Sequence, residues 1–142
     1  MTELESEALK IENQLCFPLY AASKTVVAKY RPILEKLDLT YTQYITMLVL
    51  REHTAMYLKD LGDMLFLDSG TLTPVVKKLE ERGYLCRVRE IKDERNVLVS
   101  LTKTGFALKE KAKFVPFEIM KCFNLSPDEA KTLYNLLYKI IN

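Results

Sequence analysis

Cys16 and Tyr20 stand four residues apart in the stretch Asn13-Gln14-Leu15-Cys16-Phe17-Pro18-Leu19-Tyr20. On a helix that spacing puts both side chains on one face. Two roles suit such a pair. Free cysteine in apolar company is usually a small buried hydrophobe. A thiol beside a phenolic donor is instead a group that can meet an oxidant. Thiols attack peroxides as thiolates, so a reactive Cys16 needs surroundings that favour the anion. Glu12, one turn earlier, opposes this if it faces the sulfur. From the residues alone, packing is the commoner outcome.

The other cysteines, Cys86 and Cys122, make no metal-binding spacing with Cys16, and three thiols cannot all pair within one chain. That pattern suits a reducing compartment and free thiols. Cys86 opens a strand pattern and reads as packing. A cysteine-dependent enzyme would need a base for its thiol. The single histidine, His53, falls at a helix end with nothing to pair it with Cys16. No glycine-rich phosphate loop, paired-carboxylate motif or metal-ligand cluster is present, so neither a cofactor nor a metal is expected.

With 142 residues, 49% hydrophobic and 28% charged, the chain is sized and composed as one globular domain. No apolar run approaches the ~18–20 residues of a membrane span, and the acidic start (Glu3, Glu5, Glu7) does not suit a signal peptide. A cytoplasmic protein is expected. A net charge of +2 permits nucleic-acid binding without arguing for it.

The elements that would position these residues are mostly helical. Leu9, Ile11, Leu15, Leu19, Ala22, Val26 and Val27 with Tyr30 predict one amphipathic helix over 8–30, in which Pro18 implies a kink or a late start. A short helix is expected after Pro32. Thr40 and Gln43 form a capping box opening a helix to about Glu52. Leu58, Leu61, Met64 and Leu65 mark a short helix. Asp68 is an N-cap candidate for a helix to Arg82, ended by Gly83. The period then changes to strands at 85–91 and 97–101, joined by a charged turn. A helix is expected from about 104 to 123, and Ser126-Pro127-Asp128-Glu129 opens the last one.

Two short helices followed by a two-stranded ribbon are the parts of a winged helix-turn-helix. The fold class is therefore mainly α with a small β-hairpin wing. Its apolar first and last helices lack a partner within so small a module, and a two-fold dimer would bury them. Within 68–82, Asp68, Ser69, Gly70, Thr71 and Thr73 cluster in the first turns, where a helix entering the major groove meets base edges and phosphates. Lys77 and Lys78 follow on the flank. At the hairpin tip, Arg95 suits the minor groove, with Asp93 able to hold it. A capped surface helix and a solvated turn have the same composition.

The segments "NQLCFPLYAAS", "LDLTYTQY", "LDSGTLTPVVKKLEERG" and "KDERNVLVSLTKTG" resemble, in order and over nearly the whole chain, the organic-hydroperoxide-sensing repressors (OhrR type) of the MarR family. The resemblance implies a single domain over 1–142, with dimerisation helices at about 1–36 and 104–142 around a DNA-binding region at about 40–103. It implies a homodimer on a pseudo-palindromic double-stranded operator, released when an organic hydroperoxide oxidises Cys16. The matching positions make Tyr20, Tyr30 and Tyr41 the tyrosines around the thiol, Asp68 to Thr73 the reading helix, and Asp93 with Arg95 the wing contact. Hydrogen bonds from those tyrosines would favour a thiolate. Cys122 lies near the resolving cysteine of two-cysteine members; in one-cysteine members a low-molecular-weight thiol takes that part. The chain departs from the family pattern at Thr42, where proline is usual, and at Arg51, where tryptophan is frequent. The alternatives are a MarR-type repressor controlled by a small aromatic ligand, indifferent to Cys16→Ser, and the cysteine-dependent enzyme.

Overall fold

A computed structural model describes all residues, 1–142. The first helix is short: α1 spans Glu3–Ala8, opened by a Thr2–Glu5 capping box, and a 3-10 turn follows at Ile11–Asn13. The long helix α2 spans Cys16–Leu34. Pro18 therefore falls in its first turn, where an N–H has no intrahelical acceptor, and causes no kink. Of the two outcomes expected from Pro18, the late start is the one observed. α2 also runs two residues past Pro32, so the separate helix expected there is only a 3-10 turn, Glu35–Leu37. The chain then turns through Asp38 in the left-handed region (φ 52°), and the Leu39 N–H closes back on the Leu34 carbonyl at 3.1 Å.

Helix α3, Tyr41–His53, carries the expected Thr40–Gln43 capping box in both directions. β1 (Ala55–Tyr57) leads to α4 (Leu58–Leu65) and α5 (Ser69–Glu81). β2 (Leu85–Arg89) and β3 (Val97–Leu101) form the hairpin. β1 pairs with the other side of β3, giving an antiparallel sheet of order β1-β3-β2, with Met56 opposite Val99 and Arg87 opposite the same residue. The helix expected over 104–123 is two, α6 (Lys103–Ala112) and α7 (Val115–Met120). Pro116, near the start of α7, lacks an N–H and is tolerated only there. α8, Pro127–Ile141, has the full Ser126–Glu129 capping box.

The core gathers Leu34, Leu50, Leu61, Leu72, Val76, Leu79, Leu85, Val99 and Val115 from α2 to α7 and the sheet. Neither α1 nor α8 contributes a buried residue. Leu133, Tyr134, Leu136 and Ile140 on α8, and Leu4, Leu9, Ile11 and Leu15 at the other terminus, are exposed. No helix is long and apolar enough to cross a membrane.

Candidate DNA-reading surface and sensing thiol

The start of α5 is built by Asp68, whose extended backbone and side chain make it the N-cap; its Oδ1 accepts the Thr71 N–H at 2.7 Å. That backbone bond, with a second from the Thr71 hydroxyl, holds the Asp68 carboxyl below its ordinary range. Leu72, Val76 and Leu79 are fully buried and fix the inner face of α5. Ser69, Gly70, Thr71, Lys77 and Lys78 consequently lie on the exposed face, with Thr73 half-buried. Pro74 is accommodated within α5 without breaking it. A Cβ added at Gly70, four positions earlier, would meet only the Asp68 carboxylate at 3.3 Å, so glycine there is not what makes room for the proline ring.

The hairpin tip is organised by Asp93. Its Oδ1 accepts the Arg95 N–H at 3.1 Å and the Arg95 Nε at 3.2 Å, while Arg95 itself stays 91% exposed. Asp93 thus aims a guanidinium that nothing else covers. Behind it, the Arg89 guanidinium donates to the Glu94 carbonyl at 2.9 Å. Two ties were not foreseen. Arg87 on β2 donates twice from its guanidinium (3.2 and 3.0 Å) and once from its backbone (2.9 Å) to Glu80 on α5. The guanidinium bonds hold the Glu80 carboxyl below the usual range and fix the wing to α5. Arg82, ending α5, reaches the carbonyls of Leu37 and Asp38. Both ties join different elements, one across seven residues and the other across 45, and no local pattern announces them.

Cys16 is exposed and is the first residue of α2, the end of the helix whose dipole favours negative charge. Tyr20 is one turn on; its hydroxyl accepts from Lys24 Nζ at 3.3 Å, leaving its own proton free to donate. Tyr30 and Tyr41 lie elsewhere. Tyr30 is fourteen residues further along the same helix, about 21 Å at about 1.5 Å per residue. Tyr30 and Tyr41 pack with ring centroids 4.7 Å apart, and Tyr44 joins them at 5.9 Å from Tyr30. Burial first, then the neighbouring phenols of Tyr41 and Tyr44, push Tyr30 up to about 12. Burial raises Tyr41 and Tyr44 as well. All three phenols therefore ionise only at more alkaline pH than a free tyrosine. One chain brings Tyr20 to Cys16 and does not bring Tyr30 or Tyr41. Cys122 is exposed just past α7, its thiol 3.5 Å from the Glu118 carbonyl that accepts from it. Cys86 is also exposed, with Sγ 3.1 Å from the Ser100 hydroxyl across the sheet, so the packing expected of it is not observed.

A capped helix α5, a charged wing fixed to it and apolar terminal helices uncovered within the chain define a winged-helix transcriptional regulator. The family model described as transcriptional regulator SarA/Rot matches residues 28–112. The organic hydroperoxide resistance transcriptional regulator of Bacillus subtilis is 45% identical over 98% of this chain and 95% of its own length. The structure of reduced AbfR bound to DNA (AbfR of Staphylococcus epidermidis) is 31% identical, with a TM-score of 0.78 over 99% of this chain and 97% of that one. The structure of disulfide-formed AbfR, also 31% identical, superposes less closely, at a TM-score of 0.64 over 99% and 96%. The chain belongs to this SarA/Rot family of MarR-type winged-helix transcriptional regulators.

Proposed function

We propose that the protein is a cytoplasmic homodimeric repressor, not an enzyme, that holds a pseudo-palindromic operator when reduced and leaves it when an organic hydroperoxide oxidises Cys16. The observation that carries this is the exposed thiol heading α2, the helix whose far end meets the DNA-reading unit through Arg82. The likeness to a Bacillus regulator named for organic hydroperoxide resistance, and to a regulator known both as a reduced form bound to DNA and as a disulfide form, supports it.

The thiolate attacks the outer peroxide oxygen, the O–O bond breaks, an alcohol leaves after taking up a proton, and Cys16 becomes a sulfenic acid. A second thiol then attacks that sulfur, forming a disulfide and releasing water. Cys122 is our candidate; a low-molecular-weight thiol is the other source. Since Tyr30 sits about 21 Å along the helix from Cys16 and Tyr41, on α3, packs against Tyr30, the two reach the sulfur only as Tyr30 and Tyr41 of a second copy. The bases and phosphates are met by Asp68, Ser69, Gly70, Thr71, Thr73, Lys77 and Lys78 on α5, and by Arg95, held by Asp93, on the wing.

One observation favours a second reading. A pocket of about 260 Å³ between α3, α6 and α7, lined by apolar Met47, Leu48 and Leu108 together with Arg51, Lys109 and Lys113, suits a small aromatic acid. Operator binding by wild type and Cys16→Ser, with and without cumene hydroperoxide, separates the two. Thiol sensing predicts release by wild type alone; equal release or equal retention by both proteins overturns it.

A further inference from the structure

We propose that Arg82 is a clamp that makes the reading helix move with the far end of the sensing helix. It is a positioning residue for the redox response and not a contact to DNA. The inference rests on the sensing function proposed above.

Arg82 flanks the C-terminus of α5, and Gly83 follows at φ 80°. The N–H groups of Gly83 and Tyr84 fold back onto the carbonyls of Glu80 (2.9 Å) and Leu79 (3.0 Å), so the chain leaves the helix sharply. The Arg82 side chain, 28% exposed, continues outward to the corner between α2 and α3. One terminal nitrogen, Nη1, donates to the Asp38 carbonyl. The other, Nη2, donates to the Leu37 carbonyl at 3.2 Å and lies 3.4 Å from the Tyr84 hydroxyl. The guanidinium also stacks on the Tyr84 ring, 4.9 Å from its centroid.

Those two carbonyls are unusual acceptors. They end the 3-10 turn that terminates α2, so they have no helical donor and lie at the negative end of its dipole. Asp38 holds the left-handed conformation that makes the corner. Two donors of one planar group engage two successive carbonyls, a match that a lysine ammonium cannot reproduce. The Asp38 carboxylate, 3.7 Å away and 95% exposed, adds little beside them.

The corner is also where movement of α2 must arrive. α2 is unbroken from Cys16 to Leu34, about 27 Å long. A displacement of its thiol end tilts the other end, and buried Leu34 and Leu39 oblige the corner to follow. Leu72, Val76 and Leu79 hold α5 by apolar contact, which is non-directional. The Arg82 fork supplies direction, and the Glu80–Arg87 tie carries the wing along.

The test uses the full chain with Arg82→Ala and Arg82→Lys. Operator affinity is measured for each, reduced and after cumene hydroperoxide, across a salt series, beside the rate of Cys16 oxidation. The clamp predicts an unchanged oxidation rate. It also predicts reduced-state affinity lower by about tenfold, roughly one charge-assisted hydrogen bond, and a smaller affinity loss on oxidation in both variants. A phosphate contact would instead give a shallower salt slope in Arg82→Ala, restored by lysine. A merely structural role would lower the melting temperature and leave the reduced-to-oxidised affinity ratio intact. Either result overturns the proposal. Hydrogen exchange on the free reduced proteins gives an arm independent of redox: amides of 35–40 and 69–81 should exchange faster together in Arg82→Lys, with α8 unchanged. No coordinated change overturns the clamp. If wild type keeps its operator after oxidation, the sensing function fails, and the exchange arm alone decides the clamp.

Discussion

Tyr30, Tyr41 and Tyr44 pack together, and burial makes their phenols harder to ionise. Tyr30 is raised from 10.0 to about 12, first by burial and then by Tyr41 and Tyr44. A folded value above the unfolded one means that this contribution to stability is fully present below about pH 10. It is lost as pH rises towards 12, because the unfolded chain there binds fewer protons. Denaturant unfolding should therefore show stability falling steeply across that window. Tyr30→Phe should flatten part of the fall, and an unchanged slope would show that the cluster does not protect the phenol. The proposed sensing role makes a separate prediction for the tyrosine hydroxyls. Tyr20→Phe, Tyr30→Phe and Tyr41→Phe should each keep operator affinity, while at least one slows Cys16 oxidation by hydroperoxide, followed as loss of titratable thiol. Three wild-type rates would leave the helix start as the remaining source of activation.

Elements in this chain are joined by close backbone approaches as much as by side chains. A Cβ added at Gly105 would lie 2.0 Å from the Tyr84 carbonyl oxygen, so α6 can start against the β2 entrance only with glycine there. Gly105→Ala should destabilise the fold by about 3 kcal/mol or more, read as a lowered denaturant midpoint; near-wild-type stability would show that the two segments separate freely. Local chemistry of another kind made much of the fold legible in advance. The boxes at Thr40 and Ser126 and the cap at Asp68 complete themselves within four residues, so sequence suffices for them. The Asp93–Arg95 pair, two residues apart, was readable for the same reason. β1 was not, because three residues give no period and its pairing depends on β3, over forty residues later. Apolar spacing runs on through Lys113 and Phe114, hiding the break between α6 and α7. The Tyr30–Tyr41–Tyr44 cluster and the Arg82 fork need the tertiary fold to exist at all.

At the scale of the whole molecule, the apolar faces of α8 and the N-terminal segment have no cover within one chain. A dimer formed through them would present two α5 helices to successive major grooves, with half-sites about 10 bp apart. Operator affinity should then fall steeply with salt, through phosphates met by Lys77, Lys78 and Arg95, and a flat response would sink that arrangement. The fate of oxidised Cys16 depends on the same assembly. Cys16 and Cys122 are both exposed, one heading α2 and the other beside the start of α8, the segments that a dimer would bring together. A disulfide needs their Cα atoms within about 7 Å. A pair that starts further apart must drag its helices on closing, and that movement would shift the two reading helices off their half-site spacing. Hydroperoxide should therefore produce a covalent dimer on non-reducing gels, reversed by reductant and absent in both Cys16→Ser and Cys122→Ser. Operator release should follow the same pattern. If Cys122→Ser still releases DNA, with a small-thiol adduct on Cys16 by mass spectrometry, then the resolving group comes from outside the chain. The sulfenic acid is then capped within one subunit, and helix displacement must arise from the adduct's bulk at the start of α2.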